Sequence, residues 1–402
     1  MKIGFYLDNS KKSKIDYSIP ESGNPGMGGT QFMIWTVSYY FAKLYPNIKV
    51  ILFAPNVEKL PTITSNILTK DIYEAIDNIE KYDIDYFICR STNDKKFYSR
   101  IENSKNKIIL WGHNYATYSE LTKIHKCKSV VQYICVSKEQ LESIQVHPIS
   151  KKATYIFNSI TTNIYPNSLE VNKEIDLCYV GSIIPTKGFD WVAKLFKALK
   201  DEGIKVKLSV IGSGQLYNSN QVLGKYNIAD PKFEKSFIKY IIDENHEIDK
   251  NIVFYGVLDH EKKVEVMSNA KYGIVNPSGE TETFGISAIE FEAMGIPVIT
   301  ANKGGLKDTV PIEYGYLANT FEELVKITKE ALYIYDNEKE KYINQSISAK
   351  KYVEENFDIL IIIDKWKNLI ESIDKNKDIY HGTPKKFFHS MKDYIKLLFY
   401  KQ

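Results

Sequence analysis

The sequence has little net charge and no long apolar run. Among its 402 residues, 53 Lys and Arg nearly balance 50 Asp and Glu, and the formal net charge is +3. Positive and negative residues are interleaved along the chain, so no overall electrostatic field favours nucleic acid. We therefore expect no nucleic-acid partner. No apolar stretch reaches the roughly 20 residues that a membrane-spanning helix needs. The first apolar run, residues 3–7, is interrupted by Asp8 too soon for a signal peptide.

Cysteine is scarce, and the four cysteines form no C-x-x-C pair. They are Cys89, Cys127, Cys135 and Cys178. Most stand singly inside apolar runs, which is typical of reduced core residues in a cytosolic protein. We therefore expect a cytoplasmic location.

The chain is too long for one ordinary domain and suits two of nearly equal size. In both halves, short apolar runs alternate with stretches of helical periodicity, which predicts parallel sheets covered by helices. Strands are predicted at residues 3–7, 50–54, 86–90, 107–111, 132–136, 154–157, 175–180, 205–211, 251–255, 272–275 and 296–301. A polar linker at 161–173 separates the halves. The predicted fold class is therefore α/β, with domains at 1–165 and 174–355.

Two glycine-containing turns follow predicted strands. Residues 26–31 read G-M-G-G-T-Q before a helix predicted at 31–44, and Gly28 and Gly29 let a ligand approach the backbone there. The dinucleotide spacing G-x-G-x-x-G is absent, because Gln31 stands where the third glycine would fall. A simple tight turn is the alternative. In the second half, Gly212 begins a similar G-S-G turn at the end of a strand.

Ligands of open α/β sheets bind at the carboxyl ends of the strands, and His113 closes the strand predicted at 107–111. We expect His113 at that rim, with a purely structural histidine as the alternative. Asp83 and Asp85 form an Asp-x-Asp pair, but they begin a strand instead of ending one. We interpret them as a solvated turn and predict no metal site.

Residues 276–305 are the most informative stretch. They predict a polar turn after a buried strand, a helix over 284–294 and a second buried strand. Glu282 precedes the helix and Glu290 lies eight residues later, so both can face the same side of this edge. The first helical turn offers free N–H groups that favour an anion, at Phe284, Gly285 and Ile286. A nucleotide diphosphate could bind there, with Glu290 toward the ribose and Glu282 toward the group that the diphosphate carries. Solvated helix-edge glutamates are the alternative.

The run from Glu282 to Ile299 resembles the signature of the retaining glycosyltransferases of the two-Rossmann-domain (GT-B) type, family four, also called glycosyl transferases group 1. Their signature is E-x-F-G-x-x-x-x-E followed by A-M-G-x-P-V-I, and this chain reads E-T-F-G-I-S-A-I-E-F-E-A-M-G-I-P-V-I. Residues 181–188 are similar to the family's G-R-x-x-x-x-K-G, with Ser182 in place of the frequent arginine. The resemblance covers roughly residues 1–373.

The resemblance implies two Rossmann-like domains that face each other across a cleft, with a helix at 356–373 crossing back to the N-terminal domain. It also implies donor-site roles for several residues. Lys187 pairs with the diphosphate from the loop that contains Ser182, while the base binds near Leu258. The Gly28–Gly29 turn closes over the donor, and His113 lies beside the donor sugar.

The predicted activity is metal-independent transfer, without a cofactor, of a hexose from a nucleotide sugar to a hydroxyl of a glycan or lipid-linked acceptor. The resemblance implies front-face displacement with retention, in which Glu282, Lys187 and His113 are the catalytic candidates. A UDP-sugar is the first choice of donor and GDP-mannose the second. Surface polysaccharide, glycoprotein or glycolipid synthesis is the expected setting. A nucleotide-sugar-binding protein without transfer activity and a GT-B epimerase are the alternatives.

The tail at residues 384–402 predicts a basic amphipathic helix. Its apolar stripe consists of Phe387, Phe388, Met391, Ile395, Leu398 and Phe399. Such a helix suits an anionic membrane, which predicts a peripheral protein on the inner face of the cytoplasmic membrane. Docking of the stripe onto the N-terminal domain or onto a second copy in a homodimer is the alternative.

Overall fold

The structure is a computed structural model that describes residues 1–11, 15–169, 172–216 and 220–375, together with Leu398. The chain divides into two compact units. Unit 1 comprises Met1–Ser22, Gly29–Ser159 and the stretch from Ile359, whereas unit 2 comprises Gly23–Gly28 and Ile160–Asp358. The tail helix predicted at 384–402 lies outside the described residues except for Leu398.

Unit 1 is built around a seven-stranded parallel sheet with the order β3-β2-β1-β4-β5-β6-β7. Its strands are β1 Lys2–Tyr6, β2 Lys49–Ala54, β3 Ser65–Leu68, β4 Tyr86–Arg90, β5 Lys107–Gly112, β6 Val130–Cys135 and β7 Ala153–Tyr155. Its helices are α1 Gly29–Leu44, α2 Ile72–Asn78, α3 Lys95–Ile101, α4 Tyr118–Lys126, α5 Lys138–Ser143 and α13 Ile359–Asp374. Central strands such as β4 and β5 are almost wholly buried, as expected when helices cover both faces of a parallel sheet.

Helix α13 completes unit 1 from the far end of the sequence. Trp366 packs against Trp111 with 4.7 Å between ring centroids, and Lys107 Nζ lies 2.7 Å from Asp374 Oδ1. The predicted crossing helix at 356–373 therefore corresponds to α13. The preceding helix, α12 (Lys339–Asn356), stays in unit 2 and packs against the helix that carries Glu290.

Unit 2 is built around a six-stranded parallel sheet with the order β10-β9-β8-β11-β12-β13. Its strands are β8 Ile175–Val180, β9 Leu208–Ile211, β10 Ile252–Gly256, β11 Ala270–Val275, β12 Val298–Ala301 and β13 Tyr316–Ala318. Its helices are α6 Phe189–Asp201, α7 Pro231–Phe237, α8 His260–Ser268, α9 Ile286–Ala293, α10 Leu306–Thr309, α11 Phe321–Asn337 and α12. The predicted α/β class, with two Rossmann-like units, is confirmed.

The segment 215–250 contains little helix. Its described part forms only the short helix α7 and one 3-10 turn at Ile238–Tyr240. Asn227 and His246 both adopt a left-handed backbone, with φ of 59° each, which interrupts any longer helix. In the described ranges of the chain, no helix is long and apolar enough to cross a membrane. All four cysteines are buried and free, as predicted.

Candidate donor-sugar site

The turn that leaves β11 is organised by the side chain of Asn276. Its Nδ2 donates to the carbonyl of Thr186 at 3.1 Å and to Glu282 Oε2 at 3.1 Å, and its Oδ1 accepts from Ser278 Oγ at 2.9 Å. Asn276 is 2% exposed and has a positive φ of 35°, a region that Asn tolerates better than most residues. One buried amide thus joins the loop after β8 to the turn after β11.

Lys187 and Glu282 form an ion pair at this edge of the sheet. Lys187 Nζ lies 2.7 Å from Glu282 Oε2, and the two side chains are 25% and 11% exposed. Burial alone would raise the pKa of the Glu282 carboxyl, but the Lys187 charge and hydrogen bonds from Lys187, Asn276 and the Phe284 amide lower it. Glu282 is therefore ionised at neutral pH.

Two glycines hold these loops in place because neither position has room for a β-carbon. Gly188 has a φ of 67°, and a Cβ there would lie 2.9 Å from Ser278 Oγ. A Cβ on Gly305 would collide with the carbonyl oxygen of Thr283, and the Gly305 amide donates to the Glu282 carbonyl at 3.1 Å. Close backbone packing thus fixes the positions of Lys187 and Glu282.

Helix α9 begins later than predicted, at Ile286 instead of Phe284. Gly285 caps the helix in a left-handed conformation with a φ of 93°, and the Phe284 amide bonds the Glu282 carboxyl. The predicted anion site at Phe284, Gly285 and Ile286 therefore needs a correction. The Phe284 amide donates to the Glu282 carboxyl, so it is not available to an anion. The amides of the first turn of α9 remain at the carboxyl end of β11.

Glu290 lies in a different cluster from Glu282. It is 3% exposed, and its Oε1 accepts from Lys263 Nζ at 2.6 Å and from Tyr165 Oη at 3.0 Å. Burial and the Glu290 charge raise the pKa of Tyr165 well above its usual value, so the hydroxyl keeps its proton and donates. The alternative of solvated helix-edge glutamates is wrong for both Glu282 and Glu290, because both residues are buried.

The remaining predicted residues of unit 2 lie at carboxyl ends of strands. Ser182 is buried and its Oγ donates to the Ser213 carbonyl at 3.2 Å, while Gly212 passes so close to the Gly181 carbonyl that no side chain fits. Leu258 is half-buried in the loop after β10. A cavity of about 560 Å³ lies along β10 and the end of β9, lined among others by Gly212, Ser213, Tyr226, Tyr255 and Gly256.

The predicted site residues in the first half of the chain are His113 and the turn with Gly28 and Gly29. His113 directly follows β5 and is 7% exposed, and its ring packs against Trp111 at a tilt of 42°. Burial, aided by the Arg90 charge, lowers the pKa of His113 to about 3, so its imidazole is neutral at pH 7. Helix α1 begins at Gly29, two residues earlier than predicted, and the glycine with a left-handed backbone in this turn is Gly26.

Sequence reasoning missed Asn276, Lys263 and Tyr165. The sequence does contain a signal for Lys263, which lies at helical spacing between His260 and Met267. These three are the buried residues of α8, so the lysine lies on the buried face of the helix. Tyr165 fell in the predicted linker and had none. Within the described part of the chain, no group of three or more His, Cys, Asp and Glu side chains could hold a metal ion.

Comparisons with solved structures define the class of fold. The chain is similar to a sucrose-phosphate synthase from Thermosynechococcus elongatus, with a TM-score of 0.69, 15% identity and coverage of 94% of this chain and 100% of that one. It is also similar to HepE from Anabaena in complex with UDP and glucose, with a TM-score of 0.66, 15% identity and coverage of 92% and 100%. These likenesses show the GT-B fold.

Sequence comparisons then give a family match. Residues 161–347, slightly less than half of the chain, match the family model described as glycosyl transferases group 1. Among curated relatives, the capsular polysaccharide biosynthesis glycosyltransferase CapM of Staphylococcus aureus is 27% identical over 209 residues, which are 52% of this chain and 49% of CapM. The chain spans about half the length of the curated relatives it matches.

Proposed function

We propose that the protein is a retaining glycosyltransferase that moves a hexose from a UDP-sugar to a hydroxyl of a glycan or lipid-linked acceptor. The Lys187–Glu282 pair carries this proposal. It places an ammonium and an ionised carboxylate beside the first turn of α9, at the carboxyl ends of β8 and β11. A cation and free helix amides suit a diphosphate, and a carboxylate suits sugar hydroxyls.

The donor would be held by unit 2. Lys187 and the amides of α9 bind the diphosphate, Glu290 accepts from the ribose hydroxyls, and the backbone near Leu258 contacts the base. Without donor, Glu282 neutralises Lys187. The diphosphate therefore competes for the Lys187 ammonium and leaves Glu282 available to accept hydrogen bonds from the sugar.

The reaction is a front-face displacement. The acceptor oxygen bonds to the anomeric carbon on the face from which the diphosphate leaves, and the acceptor proton passes to the leaving diphosphate. Lys187 and the helix amides stabilise the charge that develops on this group. His113 is retained as a catalytic candidate, and its imidazole is neutral at pH 7 because burial lowers its pKa to about 3. No metal ion takes part.

The preference for UDP draws support from HepE, a structure of the same fold whose complex contains UDP and glucose. GDP-mannose is the second choice of donor. Similarity to CapM supports a role in polysaccharide synthesis, where the acceptor is a glycan or is lipid-linked.

Donor hydrolysis tests the proposal against a binding protein and an epimerase. Purified protein is incubated in EDTA with UDP-glucose, UDP-galactose, UDP-N-acetylglucosamine or GDP-mannose and no acceptor. We expect slow hydrolysis of one donor, with a first-formed sugar of retained configuration by proton NMR. Binding without hydrolysis of any of the four donors favours the binding protein, and a 2-epimeric product favours the epimerase. A need for manganese would contradict the metal-free mechanism.

Peripheral attachment to an anionic membrane through residues 384–402 is part of the proposal. Truncation after Asp378 should abolish sedimentation with anionic liposomes at low salt while leaving donor hydrolysis intact. Aggregation of the truncated protein, or a change in its oligomeric state, would instead indicate that the tail docks on the protein or on a second copy.

A further inference from the structure

Glu290 is held by two residues from separate elements of unit 2. Lys263 reaches it from α8, and Tyr165 reaches it from the segment that follows a 3-10 turn at Thr162–Ile164. Both contacts fall on one oxygen, Oε1, at 2.6 Å and 3.0 Å. Within the described residues, no hydrogen bond reaches Oε2. One oxygen of the carboxylate is thus fixed, and the other can accept from a ligand.

The orientation of Tyr165 is itself fixed. Its ring meets the His260 ring edge-on with 5.1 Å between centroids. The His260 ring also packs against Gly23, where a β-carbon would collide with the imidazole. The Tyr165 hydroxyl therefore has little freedom to turn away from Glu290.

The Lys263–Glu290 ion pair is not expected to add much to the stability of the fold. The two side chains are 9% and 4% exposed, and removing two charges from water often costs as much as their attraction returns. Lys263 also lies near the N-terminus of α8, where the helix dipole disfavours a cation. A role in ligand binding explains why both charges are present.

We infer that Lys263 and Tyr165 are positioning residues that hold Glu290 Oε1 and so direct Oε2 toward the vicinal hydroxyls of a nucleoside ribose. The inference rests on the proposed function. A diol fits better than an anion, because the Lys263 charge is already neutralised and a carboxylate oxygen accepts O–H donors.

The test compares two ligands by calorimetry, UDP and 2′,3′-dideoxy-UDP, which lacks both ribose hydroxyls. The wild-type protein should bind UDP about tenfold or more tightly than the dideoxy compound, since a hydrogen bond to a charged group is worth at least that factor. In Tyr165→Phe and Lys263→Met the preference should shrink toward one, because UDP binding weakens while dideoxy-UDP binding changes little.

Matched controls separate positioning from general damage. Lys262→Met removes the neighbouring exposed lysine of α8, and Tyr342→Phe removes a buried hydroxyl that donates to the Lys271 carbonyl at 2.9 Å. Both should keep the wild-type preference. Lys263→Met leaves Glu290 buried without its cation and can unfold unit 2, so Tyr165→Phe decides in that case.

The outcomes separate this inference from the proposed function. A wild-type preference that survives unchanged in folded Tyr165→Phe and Lys263→Met overturns the positioning role but leaves the glycosyltransferase intact. Equal binding of both ligands by the wild-type protein overturns the ribose assignment, and this inference with it, but leaves the proposed glycosyltransferase activity. Failure to bind either UDP or GDP in any form removes the proposed function and the inference with it.

Discussion

Glu292 predicts an unusual dependence of stability on pH. This residue of α9 is completely buried, and neither carboxyl oxygen has a hydrogen-bond partner among the described residues. Burial raises its pKa well above the ordinary value of 4.5. The folded protein therefore keeps this proton at pH values where the unfolded chain has lost it.

The sign and size follow from proton linkage. Between the unfolded and the folded pKa, the folded state binds one more proton, so stability falls as pH rises, by about 1.4 kcal/mol per pH unit. Replacement of Glu292 by Gln removes the titrating group and keeps the shape. Relative to the wild type, Glu292→Gln should therefore gain up to about 3 kcal/mol between pH 5.5 and pH 7.5.

The assay is urea unfolding followed by circular dichroism at pH 5.5, 6.5 and 7.5, read at the transition of unit 2. Glu265→Gln is the matched control, because Glu265 is exposed on α8 and its replacement should leave the pH profile parallel to that of the wild type. If the difference between Glu292→Gln and the wild type is the same at every pH, the buried carboxyl does not carry its proton and the reasoning fails.

Three further predictions concern the candidate site. Lys187→Ala should lower the initial rate of transfer about a hundredfold, because loss of one group that stabilises a developing anion costs roughly 3 kcal/mol; an unchanged rate would remove Lys187 from the mechanism. Glu290→Ala should weaken UDP binding in calorimetry, whereas Glu282→Ala should mainly lower turnover; undiminished UDP affinity in the first variant would contradict the ribose assignment. Gly305→Ala should cost about 1–3 kcal/mol in urea unfolding and at least tenfold in rate, because its β-carbon displaces Thr283 beside the site; wild-type kinetics would show that the turn tolerates the shift.

Sequence patterns predicted most strands of both sheets because apolar runs between turns are typical of buried parallel strands. β3 was missed because it has no such apolar run. Ser65–Leu68 lies at the sheet edge, and none of its residues is fully buried. The start of α9 was misplaced by two residues. Its position depends on the left-handed Gly285, whose conformation no local pattern reveals.

The sequence predicted which residues lie at the candidate site, but it did not predict their contacts. The spacing of Glu282 and Glu290 suggested one shared edge, but the structure pairs them with different lysines, Lys187 and Lys263. A pairing between residues 95 positions apart, as for Lys187 and Glu282, depends on how β8 and β11 lie side by side. Strand order of this kind is a tertiary property that neither segment encodes alone.

The discontinuity of unit 1 has a consequence for synthesis on the ribosome. Trp111 is covered by Trp366, which is translated more than two hundred residues later, whereas the segments of unit 2 are finished by Asp358. The first domain to emerge is therefore the last that can be completed, and its apolar face stays open while unit 2 is being made. Until α13 is made, this open apolar face must be protected from aggregation. A stop codon before α13 would release a chain in which unit 2 is folded and unit 1 is unfinished.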